Sequence, residues 1–460
     1  MKQLFKFINV YANDVDAFIP EFWAQEGLAL LEENLIAANL VHRDFENVLQ
    51  QYGDTVNIRK PGTLTADRKT DCEDIVTQDV SASNVQVVLN QHVYTSFLIC
   101  DGQESMSDTD LIEEFLRPAI LAQARFVDHM VLGQYVQFME DSSTGELNGL
   151  DETNAKNYLL DLRKLLNDKL IPFDSRLGIL NTTTETDLLK LPEFTSAEKV
   201  GDAGTALREA SLGRKFGIDL WTAQNMASIR GTNTHTTGAI NNAAGYPAGT
   251  TVVTVDGFTA AIANGSWVMV DGLPNRVVST VGGATPTSIT LATGLSRDVA
   301  DNAPVISMTP AAVNFVGGYP AGYMKSIVID TTTVAPQVGQ AISFGTDPNN
   351  PVYSVLKATT TSMLLDRPLE ESIADNEAVN IGPYGNFNFF FTRNAIALVV
   401  RPLALPKQGT GALGSVINAN GLSLRAVISY DAKKQGHMVT LDFLAGIKVL
   451  DDTLGAVLLG

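Results

Sequence analysis

Large apolar residues recur at helical spacing near the start of the chain: Phe22, Trp23, Leu28, Leu31, Leu35 and Ile36. They follow Pro20, which suits a first helical turn, and together predict a helix over residues 20–40. The period then falls to two. Thr55-Val56-Asn57-Ile58-Arg59 and Val85-Gln86-Val87-Val88-Leu89 predict two strands joined by the polar stretch Lys60 to Ala82. This long hairpin has too few large apolar residues to bury itself, so it must lean on something else, a second subunit being one such support. Helical spacing returns through Leu111, Ile112, Phe115, Leu116, Ile120, Val127, Val131, Tyr135 and Phe138, with Asp108 as the cap. Pro118 inside this 109–140 helix predicts a kink or a weakened turn. A second amphipathic helix is predicted over 154–170, with Tyr158, Leu159, Leu162, Leu165 and Leu166 on one face. A strand over 176–180, a short helix over 185–190 and a strand over 213–221 follow. Strong strands close the chain: 387–391, 395–400, 422–430 and 437–443.

Between Met226 and Tyr384 the composition shifts to Gly, Thr, Ala, Val and Asn, in short alternating runs such as Trp267-Val268-Met269-Val270 and Ser288-Ile289-Thr290-Leu291. Asp256-Gly257 and Asp271-Gly272 read as tight turns. Gly245-Tyr246-Pro247-Ala248-Gly249 recurs as Gly318-Tyr319-Pro320-Ala321-Gly322, an offset of 73 (318 − 245). Gly265 matches Gly339, and Ala300-Asp301-Asn302 matches Ala374-Asp375-Asn376, each at an offset of 74 (339 − 265). Three matches in one order indicate a duplicated β unit. Added chain of this kind is tolerated on an exposed loop of a host domain.

A chain of 460 residues suggests two to four domains. A formal net charge of −19 repels nucleic acid and anionic lipid. Cys72 and Cys100 are the only cysteines, which excludes a disulfide framework and fits a reducing compartment. No apolar run approaches a membrane span. The first residues, Met1 to Ile8, read as an arm rather than a signal peptide, because Asn9, Asn13, Asp14 and Asp16 break the apolar stretch.

Catalytic constellations are missing from the sequence. His42, His92, His129, His235 and His437 lack metal spacing, and there is no His-Glu-x-x-His, Cys-x-x-Cys or Gly-x-Ser-x-Gly. His129, beside Asp128, reads as a packed or surface histidine. The cluster Asp108, Asp110, Glu113 and Glu114 reads as helix capping rather than cation binding. Gly409-Thr410-Gly411-Ala412-Leu413-Gly414 spells the dinucleotide fingerprint, but the prolines before it (Pro402, Pro406) and the stretch after it give no strand and helix to hold a pyrophosphate. Tyr246 and Tyr319 would suit sugar platforms, yet a plain turn opening each unit explains them more cheaply. No catalytic residue, cofactor or metal ligand is assigned.

Several segments carry a family resemblance. Leu212-Gly213-Arg214-Lys215-Phe216-Gly217-Ile218-Asp219-Leu220-Trp221 resembles the glycine turn and strand of tailed-phage major capsid proteins. Phe391-Thr392-Arg393-Asn394-Ala395-Ile396-Ala397-Leu398-Val399-Val400-Arg401-Pro402 resembles the capsid strand that follows an insertion. Leu422 to Asp431 and Leu441 to Gly446 resemble the C-terminal strands. Tyr52-Gly53-Asp54-Thr55-Val56-Asn57-Ile58-Arg59-Lys60-Pro61 resembles the start of the extended loop in podophage coat proteins. The order of these pieces is also the family's.

The resemblance implies an α+β chain of the Hong Kong 97-type capsid fold, with an extended loop, a long spine helix and an inserted tandem pair of small β-barrel or sandwich units. It implies six parts: an N-terminal arm and helix (1–48), the extended loop (49–105), and a peripheral domain with the spine helix and first part of the central domain (106–227). Two inserted units (228–316 and 317–384) and the remainder of both domains (385–460) complete it. The implied function is that of a major capsid protein, assembled in the bacterial cytoplasm into the virion. Its partners would be its own copies as hexamers and pentamers, a scaffolding protein, a portal protein and a decoration protein. Packaged DNA is enclosed without sequence-specific binding, and no membrane is involved. Arg59, Lys60, Asp67, Arg68 and Lys69 on the extended loop are the expected contacts between subunits. Other readings are a tandem β-module adhesin or carbohydrate-binding protein, a bacterial nanocompartment shell protein, and a cytoplasmic enzyme.

Overall fold

The helical spacing near the start forms α1 (Pro20–Asn34), with Ala24, Leu28, Leu30 and Leu31 buried. The computed structural model describes residues 20–43, 55–60, 83–101, 115–140, 142–195, 212–230, 234–407, 411–419 and 422–460, with positions 66, 68, 69, 74, 77 and 409. The helix expected over 20–40 breaks at Leu35–Ile36 and resumes as α2 (Ala37–Leu40). The cause lies far along the chain. The Asp128 carboxylate accepts from the backbone N–H groups of Ile36, Ala37 and Ala38 at 3.3, 3.1 and 3.3 Å. In an unbroken helix those donors would serve carbonyls four residues back.

The hairpin forms from β1 (Thr55–Lys60) and β2 (Ser83–Val88), paired from Thr55↔Val88 to Lys60↔Ser83. β3 (Gln91–Cys100) follows at once. α3 (Arg117–Leu132) is preceded by a π-helical turn at Phe115–Leu116. The weakened turn expected at Pro118 lies beside this change from π to α geometry. Its far end tightens into a 3-10 turn, Gly133–Gln137. The acidic cluster from Asp108 to Glu114 lies outside the described residues.

The next elements are β4 (Ser143–Gly145), α3's successor α4 (Ala155–Asp168), β5 (Arg176–Leu180), α5 (Thr182–Lys190) and α6 (Pro192–Thr195). The strand expected over 213–221 is instead a small hairpin, β6 (Arg214–Lys215) and β7 (Ile218–Thr222). Phe216 and Gly217 both have positive φ, 51° and 79°, the backbone of a tight two-residue turn. β8 (Ser228–Ile229) leads into the β-rich segment.

Twelve strands follow. The first six are β9 (Thr234–Ile240), β10 (Val252–Asp256), β11 (Trp267–Val270), β12 (Leu273–Val281), β13 (Ser288–Leu291) and β14 (Pro304–Met308). They close into a barrel in the order β10-β13-β12-β11-β14-β9. The next six are β15 (Ala311–Ala312), β16 (Ile327–Val328), β17 (Ala341–Phe344), β18 (Tyr353–Ala358), β19 (Ser362–Leu365) and β20 (Ala378–Ile381). Their order, β15-β20-β17-β18-β19-β16, repeats the first pattern strand for strand. Where the first set closes through β9 and β10, the second has only the isolated bridge Val313↔Ile329.

Finer details match too. The bridges Tyr246↔Val299 and Tyr319↔Ile373 occupy equivalent places. Asp301 accepts from the Asn242 N–H, and Asp375 from the Phe315 N–H. Asn302 and Asn376 both hold φ at 61°. Replacing either asparagine with Ala is expected to cost about 1 kcal/mol, since alanine gains nothing from a left-handed backbone. Chemical denaturation of the two variants, giving equal losses at both sites, checks the equivalence.

The return to the host runs through β21 (Gly385–Thr392), β22 (Ile396–Arg401), β23 (Ala412–Ala419), β24 (Leu422–Asp431), β25 (Gly436–Val449) and β26 (Gly455–Leu459). The described chain forms two compact units. The first holds α1, residues 42–124 and 396–450. Its organising strand is β25, which pairs with β3 along 436–445, with β24 along 436–442 and with β22 along 444–449. Ile99, Leu424, Ala426, Val439, Leu441 and Phe443 form its buried face. α1 lies against β23 and β24, and a Cβ on Gly27 would stand 2.8 Å from Leu424.

The second unit holds residues 35–41, 125–395 and 451–460. Its host sheet runs β4-β26-β21-β5-β7-β6, with β8 on β21. Phe387, Phe389, Phe390 and Phe391 on β21 are all buried, so both faces of the strand are covered. Phe390 joins Leu159, Leu162 and Leu166 of α4, while Phe387 and Phe389 meet the rings of Tyr135 and Phe138.

Candidate functional site

Arg59 and Lys60 end β1 opposite Asn84 and Ser83. Arg68 and Lys69 are exposed, and Asp67 lies outside the described residues. The base of the hairpin is supported within its own chain: Val56, Val87 and Leu89 are buried against Ala397 and Val399. The base of the hairpin thus leans on another strand of the same chain, as its shortage of large apolar residues requires.

β3 is tied to the sheet beside that base. Asp442 on β25 accepts from Arg425 on β24 at 2.7 and 2.5 Å, and lies 3.1 Å from His92 Nε2 on β3. Asp442 is buried although both partners reach solvent. Tyr94, two-thirds exposed, and Met438 stand on the same open face by their register with Asp442 and its neighbours.

In the second compact unit, both six-stranded β sets grip the helix end. Arg276 of β12 forks onto Glu140, with Nη2 to Oε2 at 3.0 Å and Nε on Oε1. Its Nη1 donates to the Asn350 carbonyl of the second set at 2.8 Å. Arg297 donates to Glu146 at 2.5 Å and to Asp271 at 2.9 Å. Burial lowers the Arg297 affinity for its proton, but Glu146 and Asp271 raise it more, and the net shift is upward. In the second set, Asp366 accepts from Gln134 at 2.9 Å, from the Ser354 N–H at 2.9 Å and from Arg367 at 3.1 Å. The Tyr135 hydroxyl donates to the Gly339 carbonyl at 2.9 Å, and complete burial pushes its phenol well up. Gly133 is required here: a Cβ would stand 2.8 Å from Ser354.

Some of the motifs weighed in the sequence fall on described residues. Gly409 and Gly411 have positive φ, but strand β23 follows them, not a helix. Tyr319 is buried and its hydroxyl accepts from the Val328 N–H, while the Tyr246 hydroxyl accepts from the Thr254 N–H. Both tyrosines pin turns to strands. His129 is half-buried, and that desolvation lowers its basicity. Cys100 is a free thiol. Among the described residues no group of three or more His, Cys, Asp or Glu could hold a metal ion, and no helix is long and apolar enough to cross a membrane. A cavity of about 340 Å³ opens where the host chain gives way to the β segment, lined by Asn148, Thr183, Ser228, Arg230, Tyr384 and Asn386. Its side chains supply no nucleophile paired with a base.

No family model and no curated protein matches the chain. Solved structures do. The chain is similar to one from Mycobacterium phage Che8, at 13% identity and TM-score 0.46, covering 92% of this chain and 90% of that one. It is similar to a chain of the capsid of cyanophage P-SCSP1u, at 10% identity and TM-score 0.43, covering 89% and 84%. A third likeness, to the capsid of a native GTA particle, has 10% identity and TM-score 0.37 and covers 91% of each chain.

Proposed function

We propose that this chain is the major capsid protein of a tailed bacteriophage, building the icosahedral shell around the double-stranded DNA genome. One observation carries the reading. The order of pieces in the resembled family is extended hairpin, spine helix, central sheet, insertion and return strands. Here β1 and β2, then α3, then β5 and β7, then twelve β strands, then β21 to β26 follow in that order. The insertion leaves and re-enters through neighbouring strands, Ile229↔Gly385 and Ser228↔Asn386. The fold would be the Hong Kong 97 type, divided into the six parts inferred from the sequence. The two β units would stand on the shell surface.

Hexamers and pentamers of this subunit would assemble with a scaffolding protein and a portal protein in the bacterial cytoplasm, with decoration proteins added outside. Arg59, Lys60, Asp67, Arg68 and Lys69 would contact the neighbouring subunit. Expression with the scaffolding protein is expected to give closed, uniform particles by electron microscopy. A monodisperse monomer at every salt concentration would overturn the reading. Reversing the charges of Arg68 and Lys69 is expected to reduce the yield of closed particles while leaving the subunit's melting temperature unchanged. With a net charge of −19, the isolated subunit should bind duplex DNA weakly at physiological salt. Tight, salt-sensitive binding in a gel-shift titration would contradict this.

A further inference from the structure

The duplication supplies an internal control for what each β set needs at its surface. Phe315 of the second set stands where Asn242 stands in the first, since both backbone N–H groups donate to the aspartate of the repeated Ala-Asp-Asn. Val328 stands where Thr254 stands, each donating its N–H to the tyrosine hydroxyl of the repeated turn. Val316 and Tyr323 replace Ala243 and Thr250 at the offset of 73 (316 − 243). In the first set the polar residues serve their own turn. Asn242 donates to the Gly245 carbonyl at 2.7 Å and accepts from the Ala244 N–H at 3.2 Å. Thr250 donates to the Pro247 carbonyl at 2.7 Å, and Thr254 to the Asn241 carbonyl at 2.6 Å. Phe315, Val316 and Val328 carry no polar side-chain atom that could do the same.

Apolar side chains face water there instead. Phe315 is 48% exposed, Val316 89%, Met324 46% and Val328 40%. Buried Tyr319 joins them. The Phe315 ring stacks on it with centroids 4.9 Å apart, the Tyr323 ring meets it at 4.6 Å, and its hydroxyl holds the Val328 N–H. The first set keeps the same turn without these side chains, so the fold does not require them. Contiguous exposed apolar groups rimmed by polar ones mark interaction sites. The rim here is acidic. Along residues 314–330 and 369–377, which carry and flank the patch, Lys325 stands against Asp330, Glu371, Asp375 and Glu377, while Glu370 is paired with Arg367.

We propose that this face of the second β set docks a basic, apolar polypeptide segment of another protein. Aliphatic side chains of the partner would cover Phe315, Val316 and Val328. Lysine or arginine beside them would meet the carboxylate rim and the face of the Phe315 ring turned away from Tyr319. A second copy of this chain is a poor occupant, because each copy brings a net charge of −19 and an equally acidic rim.

Fluorescence anisotropy of short labelled peptides against the full chain, at about 0.15 M ionic strength, tests the proposal. An alternating Lys-Leu peptide should bind. Alternating Glu-Leu and Lys-Ser peptides each lack half of the chemistry and should bind at least about tenfold more weakly. Phe315→Asn with Val316→Ala and Val328→Thr installs the first set's own residues. That variant should lose about tenfold in Lys-Leu affinity and keep its weak affinity for Lys-Ser. Should it fail to fold, Val316→Ala alone decides, since that side chain is 89% exposed. The expected loss is then about threefold. Undiminished Lys-Leu binding in the folded variant, or Glu-Leu bound as tightly as Lys-Leu, overturns the proposal. So does a triple variant that loses self-association in sedimentation while its peptide binding is unchanged, which would make a second copy the occupant.

Discussion

Replacing Arg276 with Ala is expected to destabilise the subunit by about 3–5 kcal/mol, the usual cost of stripping one partner from a buried ion pair. The guanidinium is nearly enclosed, Glu140 is mostly so, and their bond is two-pronged. The truncation also frees the Asn350 carbonyl and removes the cation from the Trp267 ring, whose centroid lies 5.6 Å from the guanidinium carbon. Arg276→Met with Glu140→Leu should recover much of the loss, because it leaves no buried charge behind. Denaturant melts of the single and double variants give the comparison. If Arg276→Ala costs under about 1 kcal/mol, the pair is a surface contact in practice and the anchoring role fails.

Asp366→Ala should be comparably severe, at about 3–5 kcal/mol. The carboxylate is fully buried and gathers donors from Gln134, Ser354 and Arg367. Removing it leaves Arg367 facing the Tyr353 ring, with the partly exposed Glu370 as its remaining carboxylate. The damage should be local. Limited proteolysis is expected to open residues 311–381 before the first barrel, because Arg276 and Arg297 still hold that barrel to Glu140 and Glu146. Asp366→Asn keeps one acceptor oxygen, for the Ser354 N–H, but sets its NH2 against the Gln134 and Arg367 donors, so it should recover only part of the loss. Equal protease sensitivity of both β sets in Asp366→Ala would show that they loosen as one body.

Local periodicity made much of the fold readable. The 3.6-residue spacing of Leu159, Leu162 and Leu166 places them in one buried cluster. The unbroken apolar run at 387–391 is a strand buried on both faces. The matched glycines and asparagines of the β sets hold matched backbone angles: Gly245 and Gly318 at 67° and 64°, Gly265 and Gly339 at 79° and 85°. What sequence reasoning missed depends on distant partners. The break at Leu35–Ile36 is made by Asp128, about ninety residues on, and nothing near Ile36 announces it. The hairpin base is buried by Ala397 and Val399, which periodicity cannot assign to it. Arg276 and Glu140 are 136 residues apart, and neither has a local signature. The turn at Phe216-Gly217 was the exception, since a glycine inside a presumed strand is itself a warning.

The pairing of Ile229 with Gly385 and of Ser228 with Asn386 has a consequence for how such a chain can change over generations. Departure and return occupy adjacent rungs of one ladder, so the host sheet registers only that two strand ends meet there. The number of modules between them is invisible to it. Only Thr309 and Pro310 separate β14 from β15, a splice short enough for unequal recombination to add or remove a whole module at a stroke. Natural variants with one or three modules would then differ in ornament while sharing the same host sheet. The cost of each gain or loss would fall on the few side chains, Arg276 and Asp366 foremost, that fasten the modules down.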